Sequence, residues 1–395
     1  MTVSQELFTL VRDWRRHLHR HPELSGQETE SAAFLSRVLD EHGISQQQEI
    51  GGHGIVATIS PAAGERDAAP IAFRADFDAL PLSDRKNCAY ASANPGIMHA
   101  CGHDGHAAVL LGLAVVLQKN RDRLALPVKL IFQPAEENGQ GAAAMLEDGI
   151  FEPLPAAVFG FHFFPELETG RIALHHGAFM AATEYLEIKL RGRSAHACVP
   201  EKAIDAIQVA AHLIPALNQL VCKNLDPVDP ALISIGTING GTVSNIIADE
   251  VTLTGTIRTL STEQHQRLHE NLERLLHDLP RAFGAEAEIT IGEVAPALVN
   301  DPRLVALTAG LLRNDFPEIS LSENDPPHLG GEDFARLARL TPGCYLFFGS
   351  GNREAGIIHP LHSSLFDLDE KALELALRVL SEIAFRGPEV IRVLH

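Results

Sequence analysis

Three short apolar runs each end on a residue that can do chemistry: Ile71-Ala-Phe-Arg-Ala75 before Asp76, Val128-Lys-Leu-Ile-Phe132 before Gln133, and Ala157-Val-Phe-Gly-Phe161 before His162. Apolar runs of this length, without alternation, read as buried strands. Between them, residues 105–118 and 139–148 have helical character. Strand, helix, strand, helix, strand implies right-handed crossovers and a mostly parallel central sheet flanked by helices, an α/β fold. Sheets of this kind collect ligands at the carboxyl ends of their strands. Asp76, the stretch Gln133 to Glu137, and His162 all fall there.

The flanking chain reads less sharply. Residues 3–20 and 26–42 suit two helices separated by Pro22, with Ser25 placed to cap the second. After about residue 178 the texture becomes α+β: alternating segments at 184–191, 232–238, 250–258 and 286–292 mix with helices at 201–221 and 262–278. Residues 179–293 are therefore expected to form a domain inserted between two parts of a catalytic domain, 1–178 and 294–395. The last part should hold helices at 301–313, 331–339 and 368–385 and a strand at 344–348.

Composition excludes some functions. A formal net charge of −19 over 395 residues opposes binding to nucleic acid or to an anionic membrane. The longest apolar run, residues 107–117, is too short to span a bilayer. The first 21 residues mix charged with apolar positions and hold no signal-peptide core, so a cytoplasmic protein is expected. Five cysteines without pairing rhythm suit reduced thiols, and of these Cys101 alone has ligand-like company.

That company is Met98-His-Ala-Cys-Gly-His-Asp-Gly-His106, which places His99, Cys101, His103, Asp104 and His106 within eight positions. Gly102 and Gly105 allow the backbone to turn, so that a thiolate and an imidazole two residues apart can face one centre. The alternative is a polar turn before a core helix. In Gln133-Pro-Ala-Glu-Glu137, adjacent carboxylates on irregular backbone point in different directions, so one can hold a metal while the other faces water. A solvated acidic loop would read the same. His162, and His362 in His359-Pro-Leu-His-Ser-Ser364, are weak signals by themselves.

Taken together with Arg74-Ala-Asp-Phe-Asp-Ala-Leu-Pro81, Gly192-Arg-Ser-Ala-His-Ala197 and Gly330-Gly-Glu-Asp-Phe-Ala335, these blocks resemble the dinuclear metal-dependent amidohydrolases of the aminoacylase/carboxypeptidase family, in the branch of hippurate hydrolase and the auxin-conjugate hydrolases. The resemblance runs over nearly the whole chain. It implies that Cys101, His103, Glu137, His162 and His362 hold two divalent ions, with the Cys101 thiolate as bridge, and that Glu136 is the general base. Zinc or manganese is the first expectation, and cobalt or nickel also suits such ligands. Asp76 and Asp78 match the positions where relatives carry a ligand and its orienting carboxylate; Asp78 would orient ligands from behind them, and the resemblance leaves the role of Asp76 open. His196 would reach across a dimer interface as oxyanion donor, Asn245 and Arg258 would grip a substrate carboxylate, and Gly331 would let backbone approach the substrate. By themselves Asn245 and Arg258 read equally as a turn residue and a strand-surface residue. The blocks depart from the usual pattern at Gly331, where serine is common, and at Gly105, where alanine is common.

The implied reaction is hydrolysis of N-acyl amino acids to a carboxylic acid and an amino acid, by a homodimer formed through the inserted domain. Alternatives are a dipeptidase or N-deacetylase on the same metal core, a non-catalytic conjugate-binding protein, and Cys101 as a nucleophile. Phe163, Phe164 and Phe179 read either as the floor of an aromatic acyl pocket or as core.

Overall fold

The computed structural model describes residues 3–63, 67–323 and 325–395. The chain divides into two compact units: the chain up to Gly177 with Val299–Pro326 and Asp333–His395, and Ala178–Leu298 with Pro327–Glu332.

The first unit is built on an eight-stranded sheet in the order Gln46–Ile50, Gly54–Ile59, Val128–Gln133, Ile71–Asp76, Ala157–Glu168, Gly343–Gly351, Arg171–Ala173, Ser320–Ser322. Its middle, from Val128–Gln133 to Gly343–Gly351, is parallel. Antiparallel pairings occur at Gly54–Ile59 on one side and Arg171–Ala173 on the other. Every residue of Ile71–Asp76 and Val128–Gln133 is buried, as unbroken apolar runs in a covered parallel sheet require. Helix His103–Lys119 packs on these strands, and Gln5–Arg20 and Lys371–Phe385 pack against it in turn. Its residues from Ala107 to Leu117 are all buried, because the helix meets protein on every side.

Some local expectations fail for identifiable reasons. Ser25 does not cap Thr29–Glu41, whose cap position is Glu28. Its hydroxyl donates instead to Asp78 Oδ2 at 2.7 Å. The helix expected at 331–339 is only Phe334–Ala338, since Gly331, costly in a helix, stays outside it. Gly105 is not a turn: it lies in the first turn of His103–Lys119, where an added Cβ would touch the Phe163 ring at 3.1 Å.

The second unit carries a four-stranded antiparallel sheet in the order Glu286–Ala295, Ala182–Arg191, Glu250–Thr259, Ala231–Gly240. Leu186, Ile188 and Leu190 form a buried row, and helices Ala206–Asn224 and Thr262–Ala282 supply Leu213, Leu217, Leu268 and Leu272 to the same core. Asp205 and Ser261 cap these helices by accepting from the first-turn N–H groups of Ile207, Gln208 and Gln264. Among the described residues no helix is long and apolar enough to cross a membrane.

Candidate metal centre

Four segments of the first unit bring the five expected ligands together at the carboxyl edge of the parallel strands. Cys101, His103 and His162 offer ligand atoms that all lie within 4.8 Å of one another, and Cys101, Glu137 and His362 do the same. The two triads share the Cys101 sulfur. Gly102, at φ +91°, supplies the left-handed bend that lets Cys101 and His103 face one centre. Cys101 Sγ is 3.3 Å from His162 Nε2, and His362 Nε2 is 3.6 Å from Glu137 Oε1. His103 Nε2 stands 4.0 Å from Glu136 Oε2 and 4.0 Å from Glu137 Oε1.

Two of the three rings are oriented from behind. His162 Nδ1 donates to the Phe163 carbonyl at 2.7 Å, and His103 Nδ1 to Asp78 Oδ1 at 3.0 Å, which directs both Nε2 atoms toward the cluster. Burial, helped by His106 and His103, holds His162 well below its ordinary pKa and keeps it neutral. Burial acts the same way on His103, but Asp76, Cys101 and the Asp78 hydrogen bond outweigh it and raise that group. Burial pushes the Glu137 carboxyl up to about 7 and the Cys101 thiol upward as well. His103 Nε2 and Glu137 Oε1 are buried without a hydrogen-bond partner. Sulfur, imidazole and carboxylate atoms converging in this way fit divalent cations, which satisfy buried anionic donors that protein groups do not.

Asp78 does more than orient one histidine. Its Oδ2 also accepts the Glu137 N–H at 3.0 Å, so one buried carboxylate fixes two members of the cluster. The backbone is strained where the site needs it. Among the described residues, non-glycine positions with left-handed φ are Glu49, Ala135 and His362. Ala135 precedes Glu136, and its N–H is held by the buried Glu28 at 2.8 Å. The His362 N–H donates to the Ala100 carbonyl at 2.8 Å. Such conformations cost about 1–3 kcal/mol each and persist where neighbours over-determine them. The loop carrying Glu136 closes at Gly141, where a Cβ would lie 1.7 Å from the Pro134 oxygen. Gly141→Ala is accordingly expected to lower stability by about 1–3 kcal/mol in urea unfolding, and a variant as stable as the parent would contradict this packing.

A buried ionic network lies beside the cluster, and sequence reasoning passed over it. Arg74 donates to Gln133 Oε1 at 2.8 Å, Asp76 Oδ2 at 2.7 Å and Asp333 Oδ1 at 2.8 Å. Asp76, whose role the sequence leaves open, also takes a 2.6 Å bond from His106 Nδ1, while His106 Nε2 accepts the Phe163 N–H at 3.0 Å. Both nitrogens of His106 are thus engaged by protein. Asp104 is tied to Arg15 Nε at 2.7 Å and His19 Nδ1 at 2.8 Å. His99 is buried, and that burial pushes it down to about 4. Phe163 and Phe179 are core residues, and the Phe164 ring stacks on Phe347 at 4.8 Å.

The remaining expected site residues belong to the second unit. His196 pairs with Ile246 as an isolated bridge, and the Ala197 N–H donates to the Asn245 carbonyl at 3.0 Å, so the loops of His196 and Asn245 are stitched together. Arg258 Nη1 donates to Thr183 Oγ1 and to the Leu329 carbonyl, both at 3.1 Å. Gly331 adjoins this group, since a Cβ there would lie 2.5 Å from Thr183 Oγ1.

A parallel α/β sheet with this donor set and paired glutamates at its carboxyl edge has the build of a metal-dependent hydrolase. The sequence profile of Peptidase family M20/M25/M40 matches residues 72–386. N-acetyl-L-cysteine deacetylase of Bacillus subtilis is 38% identical over 94% of this chain and 86% of its own length. Hippurate hydrolase of Campylobacter jejuni is 34% identical over 94% of this chain and 95% of its own. The crystal structure of a dinuclear metal-binding M20 peptidase from Bacillus subtilis matches with a TM-score of 0.85 and 32% identity, covering 98% of this chain and 100% of that one. The chain belongs to peptidase family M20/M25/M40 and is a metal-dependent amidohydrolase.

Proposed function

We propose that the protein hydrolyses the amide bond of N-acyl amino acids, with two divalent cations held by Cys101, His103, Glu137, His162 and His362 and with Glu136 as general base. The observation that carries this reading is the pair of triads that share the Cys101 sulfur beside Glu136. When bound, the cation pair polarises the scissile carbonyl and acidifies the attacking water. Glu136 takes the proton from that water and passes it to the leaving amine nitrogen, so the carboxylate ends as it began. Zinc or manganese is the cation this donor set suits first, followed by cobalt or nickel.

Asp78 holds the His103 ring and the Glu137 backbone. Asp78→Ala is expected to weaken divalent-cation affinity by about 10- to 100-fold, read by competition with a chromophoric chelator. Unchanged affinity would show that the ligands orient themselves.

A substrate-carboxylate grip is proposed for residues of the second unit. Arg258, steadied by Thr183 and Leu329, keeps further N–H donors of its fork for a substrate carboxylate beside Asn245 and Gly331. His196 serves as the oxyanion donor in a homodimer formed through the inserted domain, residues 179–293, between the catalytic parts 1–178 and 294–395 of a cytoplasmic enzyme. The substrate class is supported by the relatives: N-acetyl-L-cysteine and hippurate are both N-acylated amino acids. A panel of N-acetyl-, N-benzoyl- and N-indoleacetyl-amino acids against dipeptides tests it. N-acyl amino acids should lead in kcat/KM by at least about tenfold, and dipeptides in the lead would make the protein a dipeptidase.

A further inference from the structure

We propose that Glu184, His265 and His269 form a structural divalent-cation site, best suited to zinc, that pins helix Thr262–Ala282 to the sheet of the second unit. Their ligand atoms all lie within 4.8 Å of one another. Glu184 stands on strand Ala182–Arg191 in the same alternating row as the buried Leu186, Ile188 and Leu190, and its side chain is 9% exposed. A carboxylate in such a row needs strong partners to offset its lost hydration.

Helix Thr262–Ala282 provides them from two consecutive turns. His265 and His269 are four residues apart and so share a face, with ring centroids 4.3 Å apart. Each faces one oxygen of the carboxylate: His269 Nε2 is 2.8 Å from Glu184 Oε2, and His265 Nε2 is 3.7 Å from Glu184 Oε1. Thr259 Oγ1 lies 3.2 Å from His265 Nδ1 and orients that ring from behind, as outer partners of metal-bound histidines do. Two imidazoles and a carboxylate make a zinc triad, and the partial exposure of both rings leaves the fourth position to water. Without a cation, two imidazoles this close share one carboxylate, which neutralises a single positive charge.

The role follows from what the triad lacks. Hydrolytic zinc sites built on histidines one helical turn apart carry a glutamate base right after the first histidine. Here that position is Gln266, which cannot take a proton. The cation would therefore join the helix to the strand without doing chemistry.

Zinc itself is the probe. The enzyme and its His265→Ala/His269→Ala variant are equilibrated with zinc, and bound metal is counted by mass spectrometry after gel filtration. The variant should hold one ion fewer per chain and should lose part of the zinc-dependent rise in Tm. A Cys101→Ala/His103→Ala variant should keep this ion, which separates the outcome from the fate of the proposed catalytic pair. Equal zinc content in parent and double-histidine variant, or an anomalous map at the zinc edge with no peak between Glu184, His265 and His269, would overturn the proposal.

Discussion

Glu136→Gln is expected to lower kcat for an N-acyl amino acid by about 10²- to 10⁴-fold, with KM and bound metal nearly unchanged. Glutamine keeps the size of the side chain and can still hydrogen-bond, but it cannot accept the proton that attacking water must lose. Its neighbour cannot substitute. Glu137 points into the Cys101 and His362 triad, and its N–H is fixed by Asp78 at 3.0 Å, so it does not swing to the position of Glu136. Glu137→Gln should behave differently, losing metal and activity together. Full activity in the Glu136 variant would remove the general base from the mechanism.

Arg74→Met is expected to cost about 3–5 kcal/mol of folding stability, the largest single loss proposed for this chain. The guanidinium is buried and bonds Gln133, Asp76 and Asp333. Methionine fills similar space and leaves two buried carboxylates facing each other's field. Burial alone would raise Asp76, yet His103, Arg74 and His106 together hold it well below the ordinary carboxylate range. Asp333 also accepts from Gln133 Nε2 and from the Ala142 N–H, so the loss would loosen the ends of both central strands and the helix that follows Glu137. Urea unfolding monitored by circular dichroism measures the change. A loss under about 1 kcal/mol, typical of surface substitutions, would show that Asp76 and Asp333 find other partners.

What could be read from the sequence follows from how each residue signals itself. The central parallel strands announce themselves because burial on both faces demands unbroken apolar runs, and the antiparallel sheet because half-burial demands alternation. Gln46–Ile50 escapes because an edge strand of Gln-Gln-Gln-Glu-Ile buries little and carries neither pattern. Cys101 and His103 stand out as candidates because they lie two residues apart around a glycine, and Glu137 because it adjoins Glu136 directly after a buried strand. His362 enters the expected set through the family resemblance alone, since its placement rests on a left-handed backbone and a bond to Ala100 that no local pattern encodes. The Arg74 network hides for a related reason: Asp333 and Arg74 are 259 positions apart and meet only through the fold. Glu28 looks like a surface residue of a helix start until its carboxylate is seen to hold Ala135.

The decisive measurement is anomalous diffraction from crystals of the enzyme grown with zinc or manganese. Two peaks about 3.5–4 Å apart, one bonded by Cys101, His103 and His162 and the other by Cys101, Glu137 and His362, are the expected result. A single ion, or a pair that leaves the Cys101 sulfur unbound, would contradict it.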